Sequence, residues 1–283
     1  MEKFNMDSLG KPKRRCIRKR GPEYLFADQM ELFGEKKTIG FGNRSFHVKE
    51  IDRDLANQII VQNHYSKRFY SGSYIHLGIF SRGLLLGVLQ FGVAMNPASQ
   101  GSVVEGTKID EYLELNRMWL DDKLPRNSES RALSYGFKYI KKAFPKIAWI
   151  QSFSDERCQR FGVVYQAANF LYCGEHIGKF WELDGDYFHD SLMTDSCKAN
   201  TPRGALLRSN KHRANFLKLR QFRYIYFLKR KFRNRLKHAV KPYPKHNALE
   251  ESREIRPPSR REAAGVDPAQ RSTLQTELFQ LTQ

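Results

Sequence analysis

Three clusters of polar residues have types and spacings that can do chemistry. The first is Asn63-His64-Tyr65-Ser66, a His-Tyr pair between hydrogen-bonding neighbours at the end of a helical pattern. Imidazole and phenol together can move protons, although a lone histidine more often serves structure. The second is the strand–turn–helix from Arg117 to Leu133, where Asn127, Ser128, Glu129 and Ser130 stand at a helix start. Free backbone N–H groups and the positive dipole end can hold a pyrophosphate there, with Arg126 and Arg131 adding charge. An ordinary capped helix explains the same residues, and on local sequence alone that reading is the stronger. The third is Asp155, just after an apolar strand, with Tyr165 in the following helix. A carboxylate and a phenol brought together can act as base and acid, or as oxygen ligands for a metal. Equally, Asp155 caps the helix and Tyr165 packs in the core.

The elements that must position these groups follow from periodicity. Ser45–Glu50 alternates as a strand, and Asp52–Val61 reads as a helix with Asp52 as N-cap. Tyr74–Phe80 and Leu84–Phe91 form a hairpin about Ser81-Arg82-Gly83. Tyr112–Leu120 is the next strand, and Ser128 caps a helix that runs to about Phe144, stopped by Pro145. Lys146–Phe153 is an apolar strand, Arg160–Tyr172 a second helix ended by Gly174, and Asp184-Gly185 turns a second hairpin. Gln221–Leu228 alternates as a strand and Lys229–Lys237 is helix-compatible. The order predicts an α/β (α+β) fold, a mixed central sheet flanked by helices. Polar residues gather at strand ends, where ligands of such sheets bind.

Charge identifies the kind of partner. The 283 residues carry a net charge of +19, and 16 Lys or Arg with no Asp or Glu lie between Lys198 and Lys245. Lys11–Arg20 adds seven more. These two runs exceed the whole excess, so a near-neutral body carries basic N- and C-terminal extensions. A nucleic acid is the expected partner, against the blander reading of a solvated charged face, which would normally mix signs. Within the second run Phe222, Tyr224, Tyr226 and Phe227 interleave with Arg220, Arg223, Lys229 and Arg230, and Arg233 follows. Cations there neutralise phosphates, and the aromatics stack on bases or face the core. The expected organisation is a basic, loosely ordered extension over 1–40, a globular domain over 41–200, a basic aromatic nucleic-acid-binding extension over 201–245 and a disordered tail over 246–283.

Several classes are set aside. No apolar run is long enough to span a bilayer, so no membrane role is expected. Cys16, Cys158, Cys173 and Cys197 lack disulfide or zinc spacing and fit a reducing cytoplasm. Neither His47, His76, His176, His189, His212 nor His238 has metal-ligand spacing, and no GKS/T loop, GxSxG elbow or HExxH is present.

The strings NHYS (63–66), YLELNRMWLDDKLPRNSESRA (112–132), QSFSDERC (151–158) and GVVYQAANFLYCG (162–174), with the basic RQFRYIYFL…VKPYPK ending, resemble the bacteriophage Mom family from about Val48 to Lys245. The resemblance implies a GNAT-like (acetyltransferase-type) fold, with the 41–200 domain catalytic and the 201–245 extension DNA-binding. It implies conversion of adenine N6 to a methylcarbamoyl (acetamido) adduct that shields phage DNA from restriction, in the cytoplasm of the bacterial host. Matched by motif, its functional residues are His64, Tyr65, Arg117, Ser130, Asp155 and Tyr165. Acetyl-CoA is implied as a donor, held by Arg117 and the Asn127–Arg131 turn, although PRNSESRA replaces the usual R/Q-x-x-G-x-G/A loop. Iron is a further cofactor candidate, with His64 and Asp155 as ligands. The substrate expected is double-stranded DNA with the adenine flipped into a pocket. Two alternatives stay open: a conventional N-acetyltransferase acting on protein, RNA or a small amine, and a non-enzymatic DNA-binding protein on the same scaffold.

Overall fold

A computed structural model describes residues 24–27, 38–158, 161–195, 198 and 200–244. The Lys11–Arg20 run and the tail beyond 245 lie outside the described residues. The described residues divide into two compact units: one takes those up to Ser154 with Gly162–Gly178 and Arg220–Pro242, the other those within 155–161 and 179–219 with Tyr243 and Pro244.

In the first unit β1 (Tyr24–Ala27), β2 (Thr38–Asn43) and β3 (Phe46–Glu50) run antiparallel into β4 (Ser73–Ser81) and β5 (Leu84–Gly92). Then come β6 (Tyr112–Leu120), β7 (Trp149–Asp155), β10 (Asn215–Phe227) and β8 (Leu171–Leu183), side by side in that order. The β4–β5 turn places Arg82 and Gly83 at φ 52° and 84°, the left-handed pair that a two-residue hairpin requires. The helix-flanked mixed sheet expected from the sequence is therefore present. The second unit holds the far parts of β8 and β10, with β9 (Asp186–His189) paired to β8 through a left-handed Asp184-Gly185 turn. Its short helices are α5 (Ser191–Thr194) and α6 (Pro202–Ser209).

Helix α1 (Arg53–Asn63) starts on Asp52, whose carboxylate accepts the Asp54 N–H at 2.7 Å and the Leu55 N–H at 3.3 Å. It lays Ala56, Ile59 and Ile60 on Val88, with Trp119 beside them. After the short α2 (Gln100–Val103), helix α3 (Ser128–Ala143) buries Ala132, Leu133, Gly136, Phe137 and Ile140, the stripe that a 3.6-residue period dictates. The expected cap shifts by one: Asn127, at φ 67°, occupies the N-cap, and Ser128 is buried in the first turn. The strand expected from Lys146 begins at Trp149, because Ala148 and the residues before it turn out of the helix.

The largest local correction concerns Arg160–Tyr172. Among the described residues of this segment only Val163–Ala167 is helical (α4), and β8 begins at Leu171, so Gly174 lies inside a strand. Asn169, left-handed at φ 64°, follows the last turn of this helix, and its start is delayed by Gly162. Gly162 sits at φ 74°, and a Cβ there would fall 2.4 Å from the Tyr224 ring. Lys229–Lys237, expected to be helix-compatible, forms 3-10 turns over Arg230–Arg235.

A second glycine is demanded by a close backbone approach. A Cβ on Gly92 would stand 2.1 Å from the Gly72 carbonyl oxygen, so only glycine lets the loop before β4 close on β5. Gly92→Ala is expected to cost more than about 1 kcal/mol, read as a lower urea midpoint at unchanged slope.

Candidate active site

Strands β6 and β7 are parallel and paired only from Tyr112↔Trp149 to Glu114↔Gln151 among the described residues, although both run further. Their start is anchored in a core where Tyr112 stacks on Trp149 at 4.6 Å and the Trp149 indole donates to Thr107 Oγ1. At the last pair the character changes from apolar to polar. Gln151 Nε2 donates to Glu114 Oε2 at 2.9 Å, and Asn116 Nδ2 reaches Glu114 Oε1 at 3.5 Å. Ser73 Oγ donates to Asn116 Oδ1 at 2.9 Å. All four residues are buried. A buried polar row costs stability unless each group is paired, and here the pairing is nearly complete.

A bulge brings charge to this row. Gln90 pairs with Arg117 but Phe91 pairs with Leu115, so β6 spends one extra residue, Asn116. Without it, residues three apart would face opposite sides of the sheet. With it, Glu114 and Arg117 share the side covered by α1. Burial pushes the Glu114 carboxyl above the usual carboxylate range, opposed by bonds from Gln151, Asn116 and the Met95 N–H and by the Arg117 charge. Burial and the Glu114 charge together push Tyr112 up to about 12. A buried carboxylate of raised basicity at the parting of two parallel strands is suited to proton abstraction.

The structure brings the His64 cluster to Arg117. The Arg117 Nε donates to the Arg68 carbonyl at 2.8 Å and its Nη1 to the Asn116 carbonyl at 2.7 Å. The Ser66 hydroxyl reaches that same Arg68 carbonyl at 3.4 Å. His64 is buried at the end of α1, its Nδ1 accepting the Ser66 N–H at 3.1 Å and lying 2.8 Å from Ser66 Oγ. An Nδ1 that accepts leaves the proton on Nε2, so the ring acts as a donor. Tyr65, 57% exposed, packs on the His64 ring at 4.3 Å. Tyr70, on the same loop, sends its hydroxyl to the Ala94 carbonyl at 3.4 Å, and its pKa is raised by burial and by Glu114.

The other expected site residues fall elsewhere. Asn127, Ser128, Glu129 and Ser130 open α3, with the Ser130 hydroxyl turned back to the Asn127 carbonyl at 3.1 Å. The Arg131 guanidinium lies over Phe46 at 4.4 Å, and Arg126 is exposed. Two exposed arginines flanking this partly buried helix start are of the kind that hold the phosphates of a donor such as acetyl-CoA. Tyr165 is half-buried in α4 against Phe170 and Tyr224, both at 5.3 Å. Asp155 belongs to the second unit, buried and held by Arg157 through Nε at 2.9 Å and through Nη2.

The iron ligands implied by resemblance do not fit. The His64 Nδ1 lone pair is taken by Ser66, and both Asp155 oxygens face the Arg157 guanidinium. Among the described residues no three His, Cys, Asp or Glu side chains are grouped as a metal would require. Cys173 is no nucleophile either, since burial pushes its thiol up to about 11.

The basic C-terminal residues of the first unit form a strap. The Leu228 and Lys229 N–H groups both donate to the Ala148 carbonyl, Leu236 bridges to Val104, and the Lys241 N–H donates to the Tyr172 carbonyl. Phe232 is buried, while Arg230, Lys231, Arg233, Arg235, Lys237 and Lys241 are exposed. Lys229 Nζ donates to the Lys146 carbonyl, and Arg220 lies over Phe222 at 5.8 Å. Arg223 differs from these. It is half-buried over Phe153, with Nη1 2.6 Å from His238 Nε2 and an unpartnered buried Nε, and its pKa is lowered by burial and raised by Cys173 and Glu114.

Sequence reasoning passed over Glu114, Gln151 and Tyr70. The available signal was a carboxylate and an amide in the middle of otherwise apolar strands, YLELNRMWL and WIQSF. Among the described residues no helix is long and apolar enough to cross a membrane.

The Mom protein family matches residues 45–245. The chain is 46% identical over 237 residues to the methylcarbamoylase mom of Escherichia phage Mu, which covers 83% of this chain and 98% of that protein. Among solved structures it is similar to a ribosomal-protein-S5-alanine acetyltransferase from Vibrio fischeri, 11% identical with a TM-score of 0.41, over 68% of this chain and 98% of the other. It is also similar to Arabidopsis thaliana NAA60 in complex with acetyl-CoA, 10% identical with a TM-score of 0.41, over 65% and 99%.

Proposed function

Because the chain belongs to the Mom protein family, we propose that it is the enzyme that attaches a methylcarbamoyl group to N6 of adenine in DNA. The observation that carries this reading beyond the family is Glu114, a buried carboxylate of raised basicity where β6 and β7 part. Adenine N6 is conjugated into its ring and is a poor nucleophile. When the new N–C bond forms, one N6 proton must leave. Glu114 takes that proton, with Gln151 and Asn116 fixing its two oxygens.

His64 offers its Nε2 proton to the purine, and Arg117 keeps the His64–Tyr70 loop against β6. Acetyl-CoA, when bound, would supply the two carbons and release coenzyme A as its thiol, while an ammonia-level nitrogen donor and a two-electron oxidant would be needed as co-substrates to give the amide joined through the methyl carbon. Arg126, Arg131 and the first turn of α3 would hold its phosphates. The base must leave the duplex to reach Glu114, and the strap supplies charge for the phosphates on either side.

Nucleoside mass spectrometry of DNA from cells expressing the chain tests the reading. Modified deoxyadenosine is expected. An unmodified profile beside an acetylated protein or amine would establish a conventional N-acetyltransferase instead. Binding offers a second test. The triple substitution Arg230→Ala, Arg233→Ala and Arg235→Ala is expected to lower the slope of log affinity against log salt by roughly 0.9 per lost phosphate contact. An unchanged slope would place the DNA elsewhere.

A further inference from the structure

Two large apolar side chains stand in solvent beside the buried polar row. Phe69 is 49% exposed and Met95 is 63% exposed. A single exposed hydrophobe is ordinary, but both belong to backbone that is held tightly and tied to the site. The carbonyl of Arg68 accepts from Arg117 and from Ser66, and the Tyr70 hydroxyl donates to the Ala94 carbonyl. The Val93 N–H donates to the Gly72 carbonyl at 3.0 Å, which joins the two loops directly. The Met95 N–H donates to the Glu114 carboxylate itself. Lys67, at φ 50°, and Arg68 precede Phe69, so the aromatic ring is offered next to two positive charges.

An apolar ring on a rigid, cationic loop is what a duplex meets when a protein opens its stack. Side chains of this kind enter between base steps, while neighbouring Lys and Arg hold the backbone phosphates. A ring carried by loosely held backbone would yield instead of parting the bases. Here Arg117 links the ring's position to β6, the strand that carries Glu114.

Resting on the reading of the protein as a DNA adenine-modifying enzyme, we propose that Phe69 is the wedge that fills the place of the extruded adenine, with Met95 packing beside it. Phe69 is thus a positioning residue. It acts on the population of extruded base and leaves the chemistry at N6 to others.

The test compares the full chain and its Phe69→Ala variant on two duplexes, one with the target adenine paired to thymine and one with it opposite an abasic site. Unpaired adenine already pays little to leave the stack, so it should not need the wedge. Phe69→Ala is expected to lose on the order of ten-fold or more of the modification rate on the paired duplex, and to stay within about two-fold of wild type opposite the abasic site. Phe69→Leu, which is still an apolar wedge, should retain most activity on both.

Equal loss on both duplexes, or no loss on either, would overturn the proposal. A separate arm needs no chemistry. Duplexes carrying 2-aminopurine in place of adenine, in several sequence contexts, should brighten on adding wild type and not on adding Phe69→Ala. If wild type modifies neither duplex but brightens the probe in a Phe69-dependent way, the proposed chemistry fails and the wedge stands. If it modifies DNA and both proteins brighten the probe alike, the wedge fails alone.

Discussion

Glu114→Gln is expected to reduce adenine modification by about 10²–10⁴, the usual range for removing a positioned general base, while the protein stays folded. The substitution keeps the shape and the bond from Gln151, and it removes the charge and the basic oxygen. The pH dependence separates a base from a structural acid. Burial raises the Glu114 pKa, so wild-type activity should climb with pH through a value above the ordinary carboxylate range. The residual activity of the glutamine variant should lack that limb.

Stability should move in the opposite sense. A carboxyl whose folded pKa lies above its unfolded value contributes stability that is fully present below the unfolded pKa. That contribution is lost as pH rises through the folded pKa. Glu114→Gln mimics the protonated form and should therefore melt at or above the wild-type temperature near neutral pH. A variant that loses activity only because it unfolds, or one that keeps the acid limb, would remove Glu114 from the chemistry.

How much of this could be read in advance differs between the fold and the site. The β4–β5 and β8–β9 hairpins and helices α1 and α3 were legible because each rests on local chemistry: left-handed turn residues, the Asp52 cap, and apolar stripes at the period of the element. Segment 160–172 was misread because Gly162 and Asn169 were not seen as left-handed residues on either side of a short helix, Gly162 lying under the Tyr224 ring, a contact made across 62 positions of sequence. The His64 loop and Arg117 were both marked as candidates, and the structure unites them through one carbonyl of Arg68. Glu114 stayed hidden for a different reason. Its basicity comes from burial, against the opposing bond from Gln151 on β7, and its side of the sheet depends on the Asn116 bulge. Periodicity reports none of these.

Asp155 was read as a catalytic residue and a metal ligand, yet its surroundings describe an ion pair. It is buried, and its partner Arg157 also lies over Tyr187 at 4.5 Å and Phe180 at 5.1 Å. Asp155→Asn would remove the buried carboxylate that pairs with that guanidinium, and breaking such a pair from one side costs about 3–5 kcal/mol. A large fall in melting temperature is therefore expected for Asp155→Asn. A similar fall is expected for Arg157→Met, which strands the carboxylate. The double variant removes both charges and should be less destabilised than the two singles added together, by roughly 0.5–3 kcal/mol.

Activity must be compared below the melting range of every variant, where a purely structural pair predicts recovery. The double variant should then modify DNA at a rate near wild type. If Asp155→Asn melts like wild type and is inactive, or if the double variant is stable and dead, the ion pair is incidental. The carboxylate then acts on the reaction itself, with Arg157 as the group that orients it.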